Sequence, residues 1–307
     1  MKEAIIKLSS LGDIIHSMAL LPLLNRKMDF IVDSSFKEIL AYNPYIENVI
    51  DVSLRAAKKD KKIFLNEYKK LKNHRYDAVY DLQGLLKSAV IGKILTGNLI
   101  GYKNPREKIA SFFYNKKITS TKKYAVERYF ELFGLEEREY LINHPKLLFF
   151  KDRAFEILNS NKKNIIFIIG ATWECKKYPK EKWLELAEML QENIIVPYYT
   201  KEEEKDAFYL AKSRYVTPVK LNLNDLKALI DKADLLIGND TGPSFIAWAN
   251  NVKNIILYGC TYNNKIIENR YSKSIEVQQE YIDKKAPKEL IAKIKPYDIL
   301  KTAESLL

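Results

Sequence analysis

The stretch AIIKLSSLGDIIHSMALLPLL, Ala4–Leu24, decides the fold. It starts as a short apolar strand, breaks at Ser9-Ser10-Leu11-Gly12-Asp13, and resumes as a long apolar helix. Strand, short turn and helix open a βαβ unit, and its turn lies at the strand's carboxyl end, where open α/β sheets bind ligands. A phosphate loop at that place carries several glycines. This turn has one glycine, followed at once by an acid, and an acid repels phosphate. Two readings of Asp13 stand. It caps a helix that starts at Ile14, or it serves a ligand at this strand end that is not a phosphate.

The same alternation runs through the chain. AIIKL, DFIVD, NVIDV and DAVYDL are strand candidates in the first half, with helical patterns in IIHSMALLPLL and GLLKSAVIGKIL. From Asn164 the series restarts with NIIFIIG, NIIVPYY, DLLIGND and NIILYGC. Strands alternating with helices imply parallel βαβ units and doubly wound sheets, so two series imply two Rossmann-like α/β domains. The polar run SNKKN before the second series marks a linker end. We place the domains at residues 1–155 and 156–307, with the last helix a candidate to pack back on the first domain. That last segment, KELIAKIKPYDILKTAESLL, reads as a helix interrupted at Pro296.

Composition narrows the function classes. No run of 18 apolar residues signals a membrane span, and MKEAIIKLSS has too short an apolar core for a signal peptide. Cys175 and Cys260 are the two cysteines; they offer no disulfide framework and fit a reducing cytoplasm. Three histidines without CxxC or HxxxH spacing argue against a metal site. The formal net charge is +12, a field that attracts polyanions such as nucleic acid, anionic membrane or phosphorylated substrates. Lysine-rich composition on a solvated surface is the bland alternative. No nucleic-acid module accompanies the charge, and no GxGxxG follows the first strand to suggest a dehydrogenase.

In the second half, NIIFIIGATWECKKYPKEKWLELAEML is strand, loop and helix. Its loop offers Thr172 as a hydroxyl donor and Lys176 as a charge; solvated lysine is the ordinary alternative. DLLIGNDTGPSFIAWA ends a buried strand in Gly238-Asn239-Asp240-Thr241-Gly242 and starts a helix at Pro243. Asp240 or Thr241 can cap that helix. Gly242 lets the backbone approach a ligand, and the helix start favours an anion such as a diphosphate. In YYTKEEEKDAFYLA, Glu202, Glu203 and Glu204 open a helix, where one acid can hold ribose hydroxyls. In the first half, DLQGLLKSAVIG puts Gln83-Gly84 at a strand end. Arg55, Lys58, Lys59, Arg106 and Arg128 supply cations suited to carboxylate or phosphate. For Arg128 an ion pair with Glu127 or Glu131 is the alternative.

Taken in order, SSLGDIIHSMALLP, DLQGLLKSAVIG, PREKIASFFYNKK, AVERYFELFG, Lys176-Lys177-Tyr178-Pro179, and NDTGPSFIAW followed by ILYGCT resemble the bacterial ADP-heptose:lipopolysaccharide heptosyltransferases. The PREKIASFFYNKK and AVER segments are similar to those that add the first heptose. The resemblance implies a GT-B fold, two Rossmann-like doubly wound parallel-sheet domains facing across a cleft. It implies inverting transfer of heptose from ADP-L-glycero-D-manno-heptose to Kdo of Kdo-lipid A, with no cofactor or metal required. A second heptosyltransferase, or another diphosphosugar transferase of this fold, is the nearest alternative. Carried over residue by residue, Asp13 matches the family's proposed base. Thr172 and Lys176 match diphosphate contacts, with Lys176 also assisting the leaving group. Glu202 matches a ribose-binding acid, and Asp240, Thr241 and Gly242 the donor turn. Ser10, Gly12, Gln83, Arg55, Lys58, Lys59, Arg106 and Arg128 fall on the acceptor side. The chain departs from the family at Phe245, where a histidine is usual, and at Ala171, where a second threonine is common. The expected partners are ADP-heptose, Kdo-lipid A and the anionic inner-leaflet surface, not nucleic acid. The expected place is the cytoplasmic face of the inner membrane.

Overall fold

The structure is a computed structural model, and it describes residues 1–57, 60–135, 138–277 and 286–307. Two compact units divide it, Met1–Leu141 and Ile142–Leu307. The expected boundary after residue 155 falls later than this division, for a local reason. Leu147 donates its N–H to Ala249 O at 2.9 Å, and Leu148 donates to Asn250 Oδ1 at 3.0 Å. Lys227 Nζ donates to Phe149 O at 2.6 Å. These bonds fasten the segment after Ile142 to the second unit.

The first unit holds strands β1 (Glu3–Ile6), β2 (Met28–Asp33), β3 (Ile46–Val52), β4 (Ala78–Asp81), β5 (Leu99–Tyr102) and β6 (Lys116–Ile118), in spatial order β3-β2-β1-β4-β5-β6. The second holds β7 (Asn164–Ile168), β8 (Asn193–Tyr198), β9 (Val216–Lys220), β10 (Leu235–Asn239), β11 (Asn254–Tyr258) and β12 (Ser272–Glu276), in order β12-β11-β10-β7-β8-β9. All the pairings are parallel. Each order reverses once, between β1 and β4 and between β7 and β10. Such switch points leave a crevice at the strand ends, so topology nominates the loops after these four strands.

Central strands such as EAII and NIIFI are buried throughout, as helices on both faces of a parallel sheet require. Ile6, Ile31, Val79, Leu99 and Tyr114 contribute to the first core. Phe167, Trp183, Leu186, Ile237 and Leu257 contribute to the second. Each fully buried aliphatic or aromatic side chain contributes about 1.5–3 kcal/mol. The last helix, Pro296–Leu306, begins with its proline where the missing N–H costs nothing. Its Ile299 and Ala303 join the second core.

Two local expectations are corrected. The apolar run after Asp13 is not one helix. It is an α-helix over Leu11–Ser17 and a 3-10 helix over Met18–Leu23, which contains Pro22. A proline removes an N–H that a continuing α-helix needs. Cys175 and Cys260 are not separate thiols but a disulfide, with Cα atoms 5.6 Å apart. They lie 85 residues apart in sequence, but they follow β7 and β11, which flank β10 in the sheet.

Candidate active site

In the first unit the loop after β1 is clamped from β4. Gln83 Oε1 accepts the N–H groups of Leu8 at 3.1 Å and Ser9 at 3.0 Å. The Gln83-Gly84 turn is itself gathered by Asp81, which is fully buried. Its carboxylate accepts from Gln83 N at 2.8 Å, Gly84 N at 3.1 Å, Ser88 Oγ at 2.8 Å and Tyr114 OH at 2.8 Å. Burial pushes the Asp81 carboxyl above its ordinary range, while these four bonds pull it back. Gly84 has φ +66, and a Cβ there would stand 3.3 Å from Arg106 N. The turn therefore needs glycine, and it packs against the backbone of the loop that carries exposed Arg106.

Asp13 lies inside the first helical turn, because the helix starts at Leu11 and not at Ile14. Its Oδ2 accepts Ser10 N at 3.2 Å and Ser10 Oγ at 3.1 Å, the reciprocal half of a capping box. A second group faces it that sequence reasoning missed. Buried Lys7 sets Nζ 4.0 Å from Asp13 Oδ2, donates to Leu82 O at 3.3 Å, and lies 5.2 Å from the Tyr129 ring centroid. The only signal for Lys7 in the sequence is a cation within an otherwise apolar strand run. Burial holds the Tyr129 hydroxyl well above the usual range, Asp13 and Tyr102 add to this, and Arg128 opposes it. Arg128 lies over the Tyr102 ring at 5.2 Å, and its carbonyl accepts Tyr102 OH at 3.0 Å. Glu127 instead takes Arg138 at 3.4 Å. The structure thus brings Ser10, Asp13, Gln83 and Arg128 to one end of the sheet, with Lys7 and Tyr129 among them. Arg55 belongs to the helix Leu54–Ala57; its side chain, with residues Lys58 and Lys59, lies outside the described residues.

In the second unit, loops after β7, β10 and β11 converge on Asp240. Lys176 Nζ bonds Asp240 Oδ2 and lies 3.4 Å from Asp240 O, while Thr261 Oγ1 donates to Asp240 Oδ2 at 2.8 Å. Neither Asp240 nor Thr241 caps the following helix, Ser244–Ala249; its N-cap is Pro243, without a side-chain bond. Asp240 is drawn away because Lys176 and Thr261 reach it from two other strand ends. Lys176 also lies 4.7 Å from the Trp173 ring centroid. Asn239 staples the strand ends, donating to Ile169 O at 2.7 Å and accepting Tyr178 N at 3.2 Å. Gly259 is pressed between loops: a Cβ there would stand 2.5 Å from both Cys175 O and Ile291 Cβ. Thr172 is exposed in the β7 loop, and Thr241 and Gly242 are half-buried beside Asp240.

The three acids after β8 separate by role. Glu203 closes a capping box, accepting Tyr199 N and Thr200 N at 2.9 Å each. A Cβ on Gly170 would stand 2.0 Å from its Oε1. Glu204 faces the Tyr198 hydroxyl. Glu202 reaches toward the β7 loop, where Lys177 Nζ donates to it and to Glu174 at 2.6 Å each. Partial burial pulls Lys177 down, but the two carboxylates outweigh this and hold it above the usual lysine range. Glu202 is therefore the acid directed at the Thr172–Lys177 loop.

The model of glycosyltransferase family 9 (heptosyltransferase) matches residues 65–293. The chain belongs to glycosyltransferase family 9. It is 31% identical to lipopolysaccharide heptosyltransferase 1 of Campylobacter coli, over 100% of this chain and 99% of that one. It is 30% identical to the Escherichia coli K12 protein of the same name, over 85% and 88%. Among solved structures, E. coli heptosyltransferase WaaC with ADP-2-deoxy-2-fluoro heptose superposes with a TM-score of 0.79 at 25% identity, covering 99% of each chain. E. coli ADP-heptose lps heptosyltransferase II gives 0.76 at 18%. The family 9 chain has the GT-B fold, built from its two Rossmann-like units, and is a glycosyltransferase. Phe245, the position at which the resemblance leads to an expectation of histidine, is buried in the first turn of the helix Ser244–Ala249.

Proposed function

We propose that this family 9 enzyme transfers heptose from ADP-L-glycero-D-manno-heptose to a Kdo residue of Kdo-lipid A, with inversion, in assembly of the lipopolysaccharide inner core. The observation that carries the reading is the full-length likeness to relatives named lipopolysaccharide heptosyltransferase 1. The second unit holds the donor. Lys176, kept in place by Asp240, meets the diphosphate together with Thr172, Thr241 and the backbone at Gly242, and Glu202 holds the ribose. The first unit receives the acceptor at Ser10, Gly12 and Gln83, while Arg106 and Arg128 meet its carboxylates and phosphates, with Arg55, Lys58 and Lys59 in the same role.

The acceptor hydroxyl attacks the anomeric carbon, the bond to the diphosphate breaks, and ADP leaves. The carbon passes through an oxocarbenium-like state, as in glycoside hydrolysis. Asp13 accepts the hydroxyl proton, help worth roughly 10²–10⁴-fold. Lys176 neutralises charge growing on the departing diphosphate. These groups supply the chemistry without a cofactor. The enzyme works at the cytoplasmic face of the inner membrane, held peripherally against anionic lipid.

The test is transfer from ADP-heptose to Kdo-lipid A and, in parallel, to heptosyl-Kdo-lipid A, by wild type and Asp13→Asn. Transfer to the first acceptor, reduced on the order of 10²-fold or more in the variant, is expected. Activity on the heptosylated acceptor alone assigns the second transfer, and an undiminished variant removes Asp13 as base.

A further inference from the structure

The first unit carries an exposed apolar ridge that neither its core nor its candidate site uses. Phe112 is 85% exposed and Ile109 is 52% exposed, both on the 3-10 helix Lys108–Phe113. The helix Leu86–Leu95 runs alongside. At one end Leu86 N donates to Glu107 Oε2 at 2.7 Å, and at the other Lys93 Nζ donates to Asn115 Oδ1 at 2.8 Å. Buried Ala89 and Ile91 of that helix, and Ala110 of the 3-10 helix, anchor both elements in the first core. The outward face adds Leu86 at 36% and Val90 at 40%, one helical turn apart. Single exposed apolar residues are ordinary; four on two packed elements form a patch that asks for an occupant.

The surroundings of the ridge select the occupant by charge. Lys87 and Lys93 are exposed on the helix Leu86–Leu95, Arg106 on the loop before the 3-10 helix, Lys108 at the start of that 3-10 helix, and Lys116 on β6. The nearby acid, Glu107, is engaged by the Leu86 N–H. Apolar tips inside a cationic rim suit a lipid surface whose headgroups are anionic: the tips enter the boundary between headgroups and acyl chains, and the lysines meet phosphates. The ridge is continuous with the candidate acceptor end, because Gly84 packs on the backbone of Arg106.

We propose that Leu86, Val90, Ile109 and Phe112 form a membrane-contact surface for an anionic phospholipid bilayer. An acceptor anchored in that bilayer then meets Arg106 and Gln83 at headgroup level. The inference deepens the peripheral association proposed above and rests on that reading for its purpose. Its test uses vesicles free of lipid A, so its failure is distinct from failure of heptosyl transfer.

Co-sedimentation compares vesicles of phosphatidylcholine alone with vesicles that also contain phosphatidylglycerol. The wild type is expected to bind the anionic vesicles and to release as salt is raised. Ile109→Ser with Phe112→Ser is expected to lower the partition coefficient on the order of tenfold or more, with an unchanged thermal unfolding curve. In a second variant, Phe112→Trp, difference emission is expected to shift to the blue with anionic vesicles and not with phosphatidylcholine alone. Equal binding by wild type and double variant overturns the proposal, as does an unshifted tryptophan. So does a wild-type dimer that ignores vesicles and becomes monomeric in the double variant, since the occupant is then a second copy of the chain.

Discussion

Removing the Cys175–Cys260 bond, by serine at both positions or by a reductant, perturbs the candidate donor loops without touching Lys176, Asp240 or Thr261. The magnitude follows from chain length. Closing a loop between residues 85 apart withdraws chain entropy from the unfolded state. In the chain-entropy model that is about 4–5 kcal/mol, of which about 2–4 kcal/mol is commonly realised. The three tryptophans, Trp173, Trp183 and Trp248, all lie in the second unit, so urea unfolding followed by tryptophan emission reads that unit. With a urea slope of roughly 2–3 kcal/mol/M, the midpoint should fall by about 1 M. ADP affinity should fall severalfold as well, because the bond joins the loop bearing Lys176 to the loop bearing Thr261. Thiol titration of the unreduced, denatured wild type should find no free thiol. Two free thiols, or a midpoint unmoved by reduction, would refute the reasoning. A lowered midpoint with unchanged ADP affinity would confine the bond to stability.

Two further outcomes concern the scaffolds under each site. Tyr114→Phe removes one donor from buried Asp81, at a cost of about 1–3 kcal/mol near neutral pH. The sign against pH follows from burial: a carboxyl raised in the fold supports folding below its unfolded pKa, and that support fades as pH rises through its folded pKa. Loss of the tyrosine donor penalises the ionised form more than the neutral one, whose hydrogen bond is weaker, so the deficit should shrink as pH falls toward about 4; denaturant midpoints across pH check this, and a constant deficit contradicts it. Gly238→Ala should destabilise the second unit by about 1–3 kcal/mol, since its Cβ would stand 2.3 Å from Ser244 Oγ and 2.9 Å from Ile168 Cβ. A tryptophan-monitored midpoint equal to wild type would show that β10 and the following helix separate at no cost.

Much of the fold was legible because buried parallel strands must be apolar on both faces. AIIKL, DFIVD, DAVYDL, NIIFIIG, DLLIGND and NIILYGC contain or overlap strands β1, β2, β4, β7, β10 and β11. The strands that went unread are β5, β6, β9 and β12. Three of these, β6, β9 and β12, lie at sheet edges, with sequences KKI, VTPVK and SKSIE, whereas the remaining edge strand, β3, keeps the apolar positions of NVIDV and was legible. An edge exposes one row of backbone groups and much of its side chains, so in those three the apolar run that marks a strand is absent. The fourth, β5, is LIGY, whose short apolar run is broken by Gly101, a residue that weakens the strand signal.

The candidate sites divide in the same way. Local sequence determined that turns carrying Asp13, Lys176 and Asp240 follow strands, because strand, glycine-bearing turn and helix are written in contiguous residues. It also determined that the acids after β8 open a helix. Only tertiary structure decided which partner each group takes: Lys7 with Asp13, Lys176 and Thr261 with Asp240, Lys177 with Glu202, Cys175 with Cys260. Lys7 and Asp13 flank one turn, and only its folding sets them face to face; the other partners follow strands that are neighbours, or flank a shared neighbour, in the sheet but are distant in the chain, and strand order is set by packing of whole units. Two residues 85 apart leave no mark of each other in sequence; the placement of β7, β10 and β11 side by side brings their loops together.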